Sequence, residues 1–146
     1  MKIIRIKTDN TVDVFQYPDK KNFREELAAL RMMIGDSCEL AEHVRPKRLY
    51  EYLNGCLEPT KFKGEAVSML VDEEGYYHDL PVNLIGSWLY QSDIHGNPIV
   101  GDVMIIGEFF DKGGDISFCG LSEYNFSRLY DHFQMLAEKA RTYYAV

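Results

Sequence analysis

No stretch of this 146-residue chain holds the roughly 20 consecutive apolar residues that a membrane-spanning helix needs. The opening run Met1-Lys2-Ile3-Ile4-Arg5-Ile6-Lys7 alternates apolar and basic residues, and it lacks the apolar core of about 7–15 residues that defines a secretion signal. A soluble, cytoplasmic protein is expected. Cysteine is scarce: Cys38, Cys56 and Cys119 are odd in number and far apart, a pattern that supports neither a disulfide framework nor a zinc site. Gly96, Gly101, Gly107, Gly113 and Gly114 fit neither the dinucleotide-binding nor the P-loop spacing, so no cofactor is implied. Positive charge is nearly missing from residues 64–115, where Lys112 stands alone against ten acidic residues. A surface built from that segment repels phosphates and attracts basic partners, which makes direct nucleic-acid binding through it a poor expectation.

What is present points to a packed fold. Hydrophobic residues make up 46% and aromatics 13% of the chain, far from the composition of disordered proteins, and the length suits one domain over 1–146. The net charge of −7 is uneven, because residues 45–63 carry five basic and two acidic groups. Arg45, Lys47, Arg48, Lys61 and Lys63 form the one segment where contact with an anion is plausible.

Residues 2–7 and 11–16 alternate around Thr8-Asp9-Asn10 and read as a hairpin. Pro18-Asp19 is expected to stop that strand and cap a helix whose inner face is Phe23, Leu27, Leu30 and Ile34, with Gly35 ending it. Residues 37–44 read as a strand. The stretch 45–64 reads as an irregular basic excursion with a short helix over Lys47–Asn54 ending at Gly55; Tyr50, Tyr52, Leu53 and Leu57 could dock a partner or cover the core. Residues 66–71 are the best central strand, followed by an acidic turn and Tyr76-Tyr77. Asn83 caps a short helix over 84–91, on which Trp88 is expected to face the core with Leu84, Ile85 and Leu89. Residues 99–110 form a strand interrupted by Gly101 and Gly107, and Asp111–Asp115 turns it back into 116–119. Ser122 caps a terminal helix, with Leu121 and Phe126 as its hydrophobic staple. The element order suggests an α+β fold with a largely antiparallel sheet and helices packed mainly on one face.

Candidate chemistry is thin. Asp72-Glu73-Glu74 does not alternate its ligands as a Ca²⁺ loop does. His78 and Asp79 would make a metal site with Asp93 and His95 only if the short helix brought its two ends together, and no metal is expected. Cys119 lies near a helix N-terminus, which can lower a thiol pKa, but no motif around it, His43 or His132 marks a nucleophile and its base. No catalytic residue is assigned.

Four motifs in order do carry a likeness: Val67-Ser68-Met69-Leu70-Val71-Asp72-Glu73-Glu74-Gly75, Leu80-Pro81-Val82-Asn83, Ile99-Val100-Gly101-Asp102-Val103-Met104-Ile105-Ile106-Gly107, and Leu121-Ser122. The chain resembles, over most of residues 1–138, a family of short proteins carried by phages and integrative elements of Gram-positive bacteria, whose domain has no assigned function. Asp72 stands where that family usually has Asn, and the stretch 45–64 is longer than typical. The resemblance implies an accessory factor, of a kind of which some members inhibit host defence or host enzymes by binding them.

Two functions follow as expectations. The first is a non-enzymatic acidic protein presenting Asp72, Glu73, Glu74, Asp79 and Asp93 to a host or element-encoded protein with a basic surface. The second is a small-molecule or nucleotide binder, with a pocket lined by Tyr76, Tyr77, Trp88 and Tyr90 and with Arg48 reaching an anion. An enzyme ranks third, and homo-oligomerisation is left open.

Overall fold

The computed structural model describes residues 1–53 and 58–144. The expected helix stop at Gly55, together with Cys56 and Leu57, lies outside the described residues. Six strands form one antiparallel sheet: β1 (Lys2–Ile6), β2 (Val12–Gln16), β3 (Ala41–Val44), β4 (Ala66–Asp72), β5 (Val103–Phe110) and β6 (Ile116–Cys119). Five helices accompany it: α1 (Phe23–Ile34), α2 (Lys47–Glu51), α3 (Leu84–Leu89), α4 (Ser92–His95) and α5 (Glu123–Tyr144).

The sheet is organised by β5, which is long enough to pair two strands end to end along one edge. Val103–Ile105 pairs with β1, Gly107–Phe110 pairs with β6, and β4 occupies the opposite edge. Where β6 hands over to β1, Leu121 N donates to Lys2 O at 2.8 Å. Here the chains run too close for side chains. A Cβ on Gly107 would lie 2.2 Å from Gly120 O and 2.8 Å from Gly64 Cα. The hairpin β1–β2 closes through Asn10, a residue type that tolerates its positive φ of 65°.

Every residue of β4 is buried, because helices cover both faces of the sheet. On one face Ile4, Ile6, Val67, Met69, Val103 and Ile105 meet α2, α3 and α5 through Leu49, Ile85, Leu89, Leu129 and Phe133. On the other, Ile3, Leu70, Met104 and Ile106 meet α1 through Leu30 and Ile34. The result is the α+β architecture expected, with most helices on one side. Among the described residues no helix is long and apolar enough to cross a membrane.

Local departures have physical causes. Asn22, and not Pro18-Asp19, caps α1: its side chain accepts from Glu25 N at 2.9 Å. Phe23 at the first turn misses the core and packs its ring 5.7 Å from Phe118. The strand expected over 37–44 begins only at Ala41, since Cys38 N closes a turn on Gly35 O. The described part of 45–64 is a wall of the core more than an excursion, with Leu49, Tyr50 and Leu53 all buried. Tyr50 Oη donates to Val67 O on β4. Trp88 is the clearest correction. A six-residue helix lying on a core can bury only one stripe; Ile85 and Leu89 occupy it, leaving Trp88 43% and Leu84 39% exposed.

Candidate functional site

The last residue of β4 begins the acidic turn. Asp72 is only 6% exposed, and both carboxylate oxygens are engaged. Oδ1 accepts from Glu74 N at 2.9 Å, an Asx turn of the kind aspartate forms at strand ends. Oδ2 lies 2.9 Å from His78 Nδ1. Asp72 therefore shapes the turn and presents no charge outward. Asp79 reverses the chain at φ 53°, and Glu73 and Asp79 are exposed while Glu74 is half-buried.

Beneath this turn lies a cavity of about 300 Å³. Glu42 from β3, Asp72, Glu73, Tyr76 and Tyr90 line it, together with Asn97 to Val100. Tyr76 is fixed because its hydroxyl donates to Pro98 O at 2.7 Å. Tyr90 is fixed by an edge contact with the His95 ring, 5.0 Å between centroids. Three carboxylates and two tyrosine rings thus face one space whose lining contains no Lys, Arg or His. Such a lining suits a cation, through charge and through the negative face of the rings.

A second assembly gathers Arg48, Trp88 and Asp93. The Arg48 guanidinium sits 3.7 Å over the Trp88 ring, donates to Trp88 O at 2.8 Å, and makes a forked pair with both oxygens of Asp93. The pairing lowers the Asp93 carboxyl and raises Arg48 through their mutual hydrogen bonds. Arg48 is consequently occupied, and Asp93 presents no unpaired charge. Trp88 borders a different cavity, of about 390 Å³, between α3, α4 and the end of α5.

The residues expected to share one aromatic pocket are thus divided. Tyr76 and Tyr90 border the acidic cavity, Trp88 borders the other, and Tyr77, 86% exposed, borders neither. Of the five acidic positions, Asp72 and Glu73 line the acidic cavity, Glu74 and Asp79 stand on the turn beside it, and Asp93 belongs to Arg48. His78 and His95 are held by different partners, Asp72 and Tyr90. Among the described residues no three of His, Cys, Asp and Glu group as metal ligands.

Cys119 is not an activated thiol. Burial pushes it up to about 11, against a weaker opposing pull from the Gly64 backbone. The His43 ring faces Glu108, and that of His132 lies on Tyr52 at 3.6 Å.

The strongest polar cluster escaped the sequence reading. Glu108 is fully buried in β5, with Arg45 Nη2 at 3.0 Å and His43 Nε2 at 3.1 Å. Burial opposes its charge, but the hydrogen bonds from His43 and Arg45 prevail and hold the carboxyl below its ordinary value. One signal was available: an acid inside an otherwise apolar strand, Ile105–Phe110, must find a partner.

These features define an α+β protein with an acidic, tyrosine-lined cavity. The chain belongs to the family described as Domain of unknown function (DUF3846), whose family model matches residues 1–134. No curated protein and no solved structure matches it significantly.

Proposed function

We propose that this DUF3846 protein is a non-enzymatic, cytoplasmic binding protein of phage or mobile-element origin, which inhibits a host defence or nucleic-acid-handling protein by engaging its basic surface. A Lys or Arg side chain of that partner enters the cavity beneath the acidic turn, while Glu73, Glu74 and Asp79 contact neighbouring cations. The observation that carries the reading is the lining itself: Glu42, Glu73, Tyr76 and Tyr90 with no Lys, Arg or His among the lining residues, Asp72 being already paired with His78. An inserted guanidinium would lie against tyrosine faces and meet carboxylates in a site partly withdrawn from solvent, where charge pairs are screened less than on open surface. The origin rests on the motif resemblance, and the cytoplasmic setting on the sparse cysteines, of which Cys38 and Cys119 are free thiols.

An arginine-rich peptide titrated by calorimetry tests this. Between about 0.1 M and 1 M salt the screening length falls from about 10 Å to about 3 Å, so affinity should drop steeply. Substituting Glu42→Gln with Glu73→Gln should weaken binding about tenfold or more, as expected for charge-assisted contacts. Binding indifferent to both changes would remove the reading.

A second reading, a small-molecule binder, is favoured by the cavity beside Trp88. Its nucleotide form loses ground because Arg48, the cation meant for a phosphate, is held by Asp93.

A further inference from the structure

We propose that the groove between α3, α4 and the end of α5 binds a small apolar molecule carrying a single carboxylate. The site is separate from the acidic cavity and independent of the leading reading above; it rests on the second, the small-molecule binder, and names its ligand class. Its volume of about 390 Å³ falls in the range of small-molecule sites, and its walls are mostly apolar: Leu84, Ile85, Trp88, Leu136, Ala140 and Tyr143.

Two features make it a built site and not merely a gap between helices. The first is that Trp88 cannot swing freely. Arg48 stacks on its ring at 3.7 Å, and Arg48 is itself anchored by Asp93 and by Trp88 O. A large aromatic wall is therefore preorganised, which lowers the ordering cost of binding. The second is the sign of the charge left over. Asp93 and Lys139 both line the groove, but Arg48 neutralises Asp93. No carboxylate among the described residues pairs with Lys139, so among them the lining keeps one uncompensated charge, and it is positive. In a protein of net charge −7 this is an exception. Apolar walls with one ammonium at the lip select an amphiphilic acid: the tail or ring packs on Trp88, Leu136 and Tyr143, and the carboxylate accepts from Lys139 Nζ. A polyphosphate would need several cations where the lining offers one, and a cationic ligand would be repelled.

The chain has a single tryptophan, so its emission reports on this groove alone. The full-length protein is titrated with 4-phenylbutyrate and with its uncharged isostere 4-phenylbutanamide, exciting at a wavelength where neither ligand absorbs. The acid should shift Trp88 emission saturably and bind about three- to tenfold more tightly than the amide, the span expected of one partly exposed ion pair. Lys139→Gln should bring the acid down to the affinity of the amide and leave the amide unchanged. Lys139 is exposed, so this variant should melt like the wild type. Leu84→Glu, at the exposed first position of α3, should repel the acid selectively. The proposal is overturned if the emission does not change saturably, if acid and amide bind equally to the wild type, or if Lys139→Gln leaves their difference intact.

Discussion

At the scale of single residues, Glu108 has the most to lose. Its carboxylate is wholly enclosed, whereas the His43 and Arg45 side chains remain 31% exposed. Replacing Glu108 by Gln would leave the Arg45 guanidinium and the His43 ring facing a neutral amide, although water can still reach them. We therefore expect a loss of about 1–3 kcal/mol in urea unfolding, less than for a fully enclosed pair. The pH dependence has two windows. Glu108 has a folded pKa below its ordinary 4.5, so the unfolded chain takes up its proton first. Its contribution is complete above that value and is lost as the pH falls through the lower, folded one. His132 is lowered from 6.5, by burial first and then by Lys139. Acid therefore also favours the unfolded chain, beginning below about 6.5. Melting temperatures measured from pH 8 to 3 should decline in two stages, with His132→Gln flattening the upper one and Glu108→Gln the lower. Neither residue announces this role in the sequence, because His43 and Arg45 reach Glu108 across 63 or more positions of chain.

At the scale of elements, the caps of α3 and α5 and the turn chemistry were legible, whereas the cap of α1 and the exposure of Trp88 were not. Asn83 does accept from Gly86 N at 2.8 Å, and Ser122 from Asn125 N at 3.2 Å, because a cap is a local bond between near neighbours. Asp111 likewise closes its own turn by accepting from Gly113 N and Asp115 N. Trp88 failed since a short apolar stripe does not say how wide a face the helix buries. Gly107 was legible as a break but not as what it is, a crossing point. There β5 passes under Gly64 and Gly120, and Asn125 Nδ2 holds the upper chain by donating to Gly64 O and Glu65 O. A methyl group at Gly107 meets only backbone, which cannot rotate away. Gly107→Ala should cost about 3 kcal/mol or more, or abolish folding. Gly96→Ala, where the added carbon meets nothing but the φ is +81°, should cost nearer 1 kcal/mol. Comparing the two by thermal melting separates crowding from backbone strain.

At the scale of the whole molecule, the charge map read from the sequence changes meaning when the chain folds. The basic stretch 45–63 and the acidic stretch 64–115 looked like two opposed surfaces, yet they partly cancel each other. Arg45 pairs with Glu108 and Arg48 with Asp93, so two of the five cations and two of the ten acids turn inward to one another. Asp72 is withdrawn by His78. Of the acids that remain, Glu73, Glu74 and Asp79, with Glu42 from β3, stand in or beside one cavity. Segment composition cannot reveal this, because it counts charges without knowing which of them meet. The distinction can be tested with two variants that remove the same single charge. Asp93→Asn breaks the forked pair with Arg48 and loosens Trp88, so it should lower the melting temperature while leaving arginine-peptide affinity nearly unchanged. Glu73→Gln should do the opposite, since an exposed turn carboxylate contributes little to folding but faces the proposed ligand. Equal losses of affinity in both variants would mean that the protein attracts basic partners by its overall field, and that the cavity beneath the turn has no special part in recognition.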